Sequence, residues 1–149
     1  MSIKDRLTED MKAAMKEKEG GKLRLSVIRM VRAAIKNIEI DKKKELSDDE
    51  TIEVIAREVK QRRDAMDEYR KADRQDIVDT LQEEISILMP YLPEQLSEEE
   101  VRTLVKAVIA EVQPQGQKDM GKVMGKLMPQ VKGKADGKLV NQIVKEMMG

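Results

Sequence analysis

No cysteine, histidine, tryptophan or phenylalanine occurs anywhere in the chain. Without cysteine there is no disulfide frame, no thiolate nucleophile and no Cys-bound zinc. Without histidine there is no imidazole base and no imidazole metal ligand, which removes the commonest hydrolase triads. The only aromatic side chains are Tyr69 and Tyr91, so RNA readers that stack bases on aromatic rings are disfavoured too. No apolar run approaches the length of a membrane span, and the opening Met-Ser-Ile-Lys-Asp does not resemble a signal peptide. These gaps argue against a self-sufficient enzyme. They predict a soluble, cytoplasmic protein with no cofactor and no metal.

What the chain does hold is charge. Of its 149 residues, 39% are charged, against roughly 25% in ordinary globular domains. The 29 basic and 29 acidic side chains cancel, but unevenly along the chain. Residues 1–96 carry 20 basic and 22 acidic groups, whereas residues 113–149 carry seven lysines against Asp119, Asp136 and Glu146. A neutral chain with a basic tail points to an anionic partner for that tail, with a plain solvated lysine face as the alternative.

The apolar residues recur at helical period throughout, and the fold class is all-α. Ile3, Leu7, Met11, Ala14 and Met15 form a first stripe behind Ser2, an N-cap candidate, and Gly20-Gly21 stops that helix. A second helix starts near Leu23 with Val27, Ile28, Val31 and Ile35 inward and Arg29, Arg32 and Lys36 outward. Ser47-Asp-Asp-Glu50 is a capping box that opens a long helix, which breaks near Ala72-Asp73 before another built on Ile77, Val78, Leu81, Ile85 and Leu88. Pro90-Tyr-Leu-Pro93 then interrupts the pattern, because prolines remove donors and push their predecessors out of the α region. The expected organisation is a helical domain of about four helices over 1–92 and a three-helix bundle over 93–149. A second capping box, Ser97-Glu-Glu-Glu100, heads the tail; a short helix spans 118–128 and is stopped by Pro129; Asp136 caps the last helix.

Three constellations are candidates for function. In the helix 118–128, Met120, Val123, Met124, Leu127 and Met128 fill one arc, Lys118, Lys122 and Lys126 the opposite side, and Gly121 and Gly125 one edge. Two glycines within one short helix cost about 1 kcal/mol each relative to alanine, so a side-chain-free edge should serve a close approach, by a packed helix or by a nucleic-acid strand. The turn Lys132-Gly-Lys134-Ala-Asp136-Gly-Lys138 sets three lysines around a helix start, where free N–H groups attract phosphate but Asp136 repels it. Arg63 and Glu84 each fall within an apolar stripe of consecutive helices, and are expected to form a partly buried structural ion pair. Lys60-Gln-Arg-Arg63 is either an RNA contact or a solvated face. No dinucleotide, P-loop or zinc-protease signature occurs.

Two segments, Asp119-Met-Gly-Lys-Val-Met-Gly-Lys-Leu-Met128 and Lys132-Gly-Lys-Ala-Asp-Gly-Lys-Leu-Val-Asn141, resemble the YqeY-like family. So do Ile28-Arg-Met-Val-Arg-Ala-Ala34, Lys60-Gln-Arg-Arg-Asp64 and Tyr91-Leu-Pro-Glu-Gln-Leu-Ser-Glu98, and the resemblance spans essentially the whole chain. The C-terminal domain of that family is similar to the tail of the B subunit of bacterial tRNA-dependent amidotransferase. The resemblance implies an all-α N-terminal domain and a three-helix tail. It also implies a tRNA or other structured-RNA partner, an amidotransferase or synthetase subunit as a protein partner, and neither DNA nor membrane. It makes Lys118, Lys122, Lys126, Lys132, Lys134 and Lys138 the candidate RNA contacts. One departure is Ala72-Asp73-Arg74, where the family usually has Ala-Gly-Arg.

Three functions remain open at this point. The first is a non-catalytic tRNA-binding accessory module, reading folded RNA through lysines and close backbone contact. The second is the family-level label, a carbon–nitrogen ligase with glutamine as amido-N-donor; few serines are available to carry it. The third is a helical protein–protein adaptor.

Overall fold

The computed structural model describes residues 1–149 and contains seven α-helices and no β-strand. The all-α expectation holds. The helices are α1 (Ile3–Lys16), α2 (Lys22–Lys42), α3 (Asp48–Lys71), α4 (Gln75–Leu88), α5 (Glu98–Val112), α6 (Met120–Val131) and α7 (Gly137–Met148), with short 3-10 turns before α2, after α4 and before α6. They fall into two compact units, Met1–Leu92 and Pro93–Gly149.

Local chemistry starts most of these helices. Ser2, Ser47 and Ser97 each accept the N–H of the residue three positions on, while that residue's carboxylate (Asp5, Glu50 and Glu100) accepts the serine's own N–H, all at 3.1–3.2 Å. Each reciprocal pair satisfies two donors that a helix end leaves orphaned. The break after α3 is a Schellman turn. Asp73 takes a left-handed φ of 58°, and the N–H of Arg74 reaches back to the Tyr69 carbonyl at 2.9 Å. Aspartate occupies this position at some steric cost, yet the helix ends there all the same.

In the first unit α3 packs most extensively on α4, and α1 on α2. Leu7, Ile28, Ile55 and Leu88 are fully buried at the centre, each contributing about 1.5–3 kcal/mol through apolar burial. Two features depart from expectation. The ion pair across α3 and α4 is made by Arg62, not Arg63. Arg62 is buried, with Nε 3.1 Å from Glu84 and Nη1 3.2 Å from Glu58, and it also donates to the Glu58 carbonyl at 3.0 Å. The inward stripe of α3 is Thr51, Ile55, Val59, Arg62 and Met66. The expected stripe of Ile52, Ile55, Ala56, Val59 and Met66 shares Ile55, Val59 and Met66 with it. Ile52, Ala56 and Arg63 are only partly buried while Thr51, Val54 and Arg62 are buried, so the inward face is turned by roughly half the 100° step between neighbours and takes Arg62 in place of Arg63. Arg63 instead lies beside Met89, with Nη2 4.0 Å from its sulfur. Lys60-Gln-Arg-Arg63 is therefore not a continuous basic surface, since its third residue is core and Lys60 pairs with Asp64 at 3.2 Å.

The second departure is at Gly21. Here α1 gives way to a 3-10 turn, and the backbone of Gly21 runs against that of Ala14: a Cβ on Gly21 would stand 2.3 Å from the Ala14 carbonyl oxygen. Gly21 is a close-approach glycine and not the helix stop expected of Gly20-Gly21: α1 already ends at Lys16, with Lys18 in the left-handed region at φ 54°. At the far end of the unit, the buried Tyr91 hydroxyl donates to the Asp10 carboxylate, and Arg6 lies over the ring at 5.0 Å. Burial and the Asp10 contact push the Tyr91 phenol above its ordinary range.

In the second unit each helix gives three residues to one core: Val101, Val105 and Val108 from α5; Val123, Leu127 and Val131 from α6; Val140, Ile143 and Val144 from α7. Pro129 does not stop α6, which runs on to Val131. A proline at 129 withholds only the N–H that would reach the carbonyl of residue 125, and its ring crowds that same carbonyl. Residue 125 is an exposed glycine with no side chain to add to that crowding, and the last turn continues. No helix of the chain is long and apolar enough to cross a membrane.

Candidate nucleic-acid interface

The lysine-bearing part of the second unit is built from α6, the turn behind it and the start of α7. Val123, Leu127 and Val131 bury one face of α6, which leaves Lys122 and Lys126 on the exposed side, while Lys118, expected on the same helix, is exposed in the 3-10 turn before it. Lys122 and Lys126 are one four-residue step apart on α6, about 6 Å of rise. Gly121 and Gly125 are exposed beside the lysine row, and an added Cβ at either would meet nothing within 4 Å. The expectation of close helix packing against these glycines is therefore overturned. Within this chain nothing approaches them. Their cost to α6 is left without an internal compensation.

Behind α6, Lys132 and Gly133 form the centre of a type II turn. Lys132 has φ −59° and ψ 122°, Gly133 has φ 72°, and the Lys134 N–H donates to the Val131 carbonyl at 2.8 Å. The third position of such a turn requires positive φ, which is why a glycine stands there. The turn is fastened from the other side by the incoming segment. Leu96 N–H donates to the Lys134 carbonyl at 2.8 Å, and the Gln95 side-chain amide donates to the Gly133 carbonyl at 2.8 Å and to the Pro93 carbonyl at 2.9 Å. The inward carbonyls are thus satisfied, and the side chains of Lys132 and Lys134 point to the exposed side. No sequence pattern marks Gln95, because its partner Gly133 lies 38 residues away.

Charge pairing sorts the lysines. Lys126 is engaged by Glu111 of α5, and Lys122 stands 3.8 Å from Asp119, whose carboxylate also accepts the Gln115 N–H at 2.9 Å. Asp136 caps α7 by accepting the Lys138 N–H at 3.0 Å, so the axial anion position of that helix is already filled by a carboxylate. The arrangement can do one thing well: present spaced cations along one side of a bare strip of helical backbone.

Comparison with known proteins bears on the whole chain. The model of the family described as Yqey-like protein matches residues 4–148. The chain belongs to the YqeY-like family. Among curated relatives of this YqeY-like chain, the Kluyveromyces lactis protein named altered inheritance of mitochondria protein 41, mitochondrial, is 41% identical over 86 residues, 57% of this chain and 45% of that protein. The protein of the same name from Lachancea thermotolerans is 33% identical over 109 residues, 71% of this chain and 57% of that protein. The YqeY-like chain thus spans about half the length of the curated relatives it matches.

Proposed function

We propose that this YqeY-like protein is a non-catalytic accessory module that binds tRNA or a similarly folded RNA, in association with a tRNA-dependent amidotransferase or an aminoacyl-tRNA synthetase. The observation that carries the reading is the bare strip at Gly121 and Gly125, open to solvent and bordered by lysines. A folded RNA offers what that strip is shaped for: a ridge of phosphates and ribose hydroxyls that can come close to the backbone while ammonium groups neutralise its charge. Neither aromatic stacking nor an acid–base residue is needed. The setting that goes with this reading is the cytoplasm, and the mitochondrial names of the yeast relatives make the organelle the other outcome of a localisation experiment.

A filter-binding titration of the full chain with total tRNA tests it. Lys122→Glu combined with Lys134→Glu should weaken binding by about tenfold or more, through lost and reversed phosphate contacts. Unchanged affinity in a variant that still melts like the parent rejects the surface. The alternative reading, a free-standing carbon–nitrogen ligase using glutamine, has less support. Of the serines available to a Ser–Lys mechanism, Ser2, Ser47 and Ser97 spend their hydroxyls on capping boxes, and Ser86 donates to the Gln82 carbonyl at 3.0 Å. Ammonia release from glutamine by the purified chain, with no partner added, would reinstate that reading.

A further inference from the structure

The first unit carries a second surface that RNA binding by the tail does not use. It is the groove between α1 and α2, a cleft of about 580 Å³. The two helices run antiparallel, and Lys4 near the start of α1 meets Glu39 near the end of α2 at 2.7 Å. Leu7, Met11 and Ala33 form an apolar floor. Along one rim stand Arg29, Arg32 and Lys36, all exposed. At spacings of three and four residues they form one row on α2. Arg32 touches the Met11 sulfur at 2.9 Å, and Lys36 lies near enough to Glu39 to help hold that carboxyl low, behind the closer Lys4. The acidic end of the cleft is largely spent: Glu39 is held by Lys4 and also accepts the Leu46 N–H at 2.9 Å, which leaves Glu45.

Two large exposed apolar side chains, outside the lining of the cleft itself, lie further along the helical rows that border it. Met15 is 51% exposed and lies eleven residues after Lys4 on α1, while Ile40 is 62% exposed and lies eleven residues after Arg29 on α2. Eleven residues is close to three full turns, so each stays within about 20° of the row it extends. The surface between them is about 16 Å long, three turns of helix.

We infer that this groove docks an acidic amphipathic helix of a protein partner, about three turns long. Its apolar face lies on Met11, Ala33, Met15 and Ile40, and its flanking carboxylates meet Arg29, Arg32 and Lys36. A helix laid in a groove uses anchors at spacings of three and four residues, which is the spacing of the cations here. Charge complementarity selects an acidic partner and rejects a basic one. A nucleic-acid strand would use the three cations but brings no apolar surface for the floor and for the two exposed side chains. That makes the peptide the better match.

The test is fluorescence anisotropy with the full chain and a labelled peptide of about fourteen residues, leucines on one helical face and glutamates flanking them. A scrambled peptide of the same composition is the control. The designed peptide should bind and the scrambled one should bind at least tenfold more weakly, because only one of them has an apolar face. Arg29→Glu with Arg32→Glu should weaken binding by about tenfold, and Met15→Ala with Ile40→Ala should weaken it several-fold while leaving tRNA binding unchanged. All four residues are exposed or at the rim, and circular-dichroism melts should show both variants folded; if one fails to fold, the other decides. Equal binding of the two peptides, or affinity unaffected by a folded variant, overturns the proposal. So does tRNA binding that weakens with Arg29→Glu and Arg32→Glu in a chain that ignores the designed peptide, which would assign the groove to RNA.

Discussion

Single residues settle most of what holds the first unit together. Arg62 is the sharpest case, since its guanidinium reaches Glu58 and Glu84 from a buried position. Truncating it leaves two half-buried carboxylates facing one another without a cation, so Arg62→Ala should destabilise by about 3–5 kcal/mol. Arg63→Ala should cost less than about 1 kcal/mol, because it removes one weak contact with a methionine sulfur. Urea unfolding of both variants checks the pair, and equal losses would contradict the assignment. The same contrast holds for adjacent glycines. Gly21→Ala forces a methyl into the Ala14 carbonyl and should cost about 1–3 kcal/mol, whereas Gly20, with open space around it, should accept alanine at almost no cost. Thermal melts of the two variants separate these outcomes. A pair of buried charges across α3 and α4 was legible from the apolar stripes that contain them. Which arginine makes it was not. Neighbouring positions differ by 100° of helical phase, and the spacing of apolar residues in α3 admits both registers until α4 and α2 are in place.

At the scale of helices, legibility follows sequence distance. All three capping boxes could be read because the serine and its carboxylate stand three residues apart. Their carboxylates are held below the ordinary range. Glu50 is the extreme, lowered from 4.5 to about 2 by a hydrogen bond from Lys44 and by the Ser47 N–H; Asp5 and Glu100 shift the same way through their serine caps. A depressed folded value means that the contribution is whole above the unfolded value near 4.5 and is lost as pH falls from there toward about 2. Melting temperature should therefore drop through that window. In Glu50→Gln, which keeps the capping geometry but not the charge, the drop should be shallower. A pH series of melts on the two proteins reads this directly. For α6, phase was legible but surroundings were not: the positions of Gly121 and Gly125 follow from helical period, while what faces them depends on where α5 and α7 pack. With nothing facing them, Gly121→Ala with Gly125→Ala should stabilise the fold by about 1–2 kcal/mol, the propensity gain of two alanines. If the bare strip serves RNA, Gly125→Leu should weaken tRNA binding even though the helix is no less stable. A gain in melting temperature paired with unchanged RNA affinity would remove the reason for glycine at these positions.

For the molecule as a whole, net charge of zero would seem to forbid strong salt dependence. Long-range attraction follows net charge, but counterion release follows the number of phosphates actually neutralised, and that is a property of the local surface. The lysines of α6 and its turn are grouped in one part of the second unit, while the acidic residues that balance them are spread over the remaining helices. Some of those lysines are already committed, Lys126 to Glu111 and Lys122 loosely to Asp119, so RNA must displace a carboxylate to use them. About four phosphates is then a reasonable footprint for six lysines, and it gives a slope near −3.5 for log affinity against log salt. From 50 to 200 mM salt this is a loss of about a hundredfold. Removing one contact with Lys134→Gln should lower the slope by about 1, whereas Lys126→Gln should lower it by less, because part of that charge was spent within the protein. Titrations of tRNA at several salt concentrations measure all three slopes. A slope near zero in the parent chain would mean that the lysine surface is only a solvated face, and the function would then rest on protein partners alone.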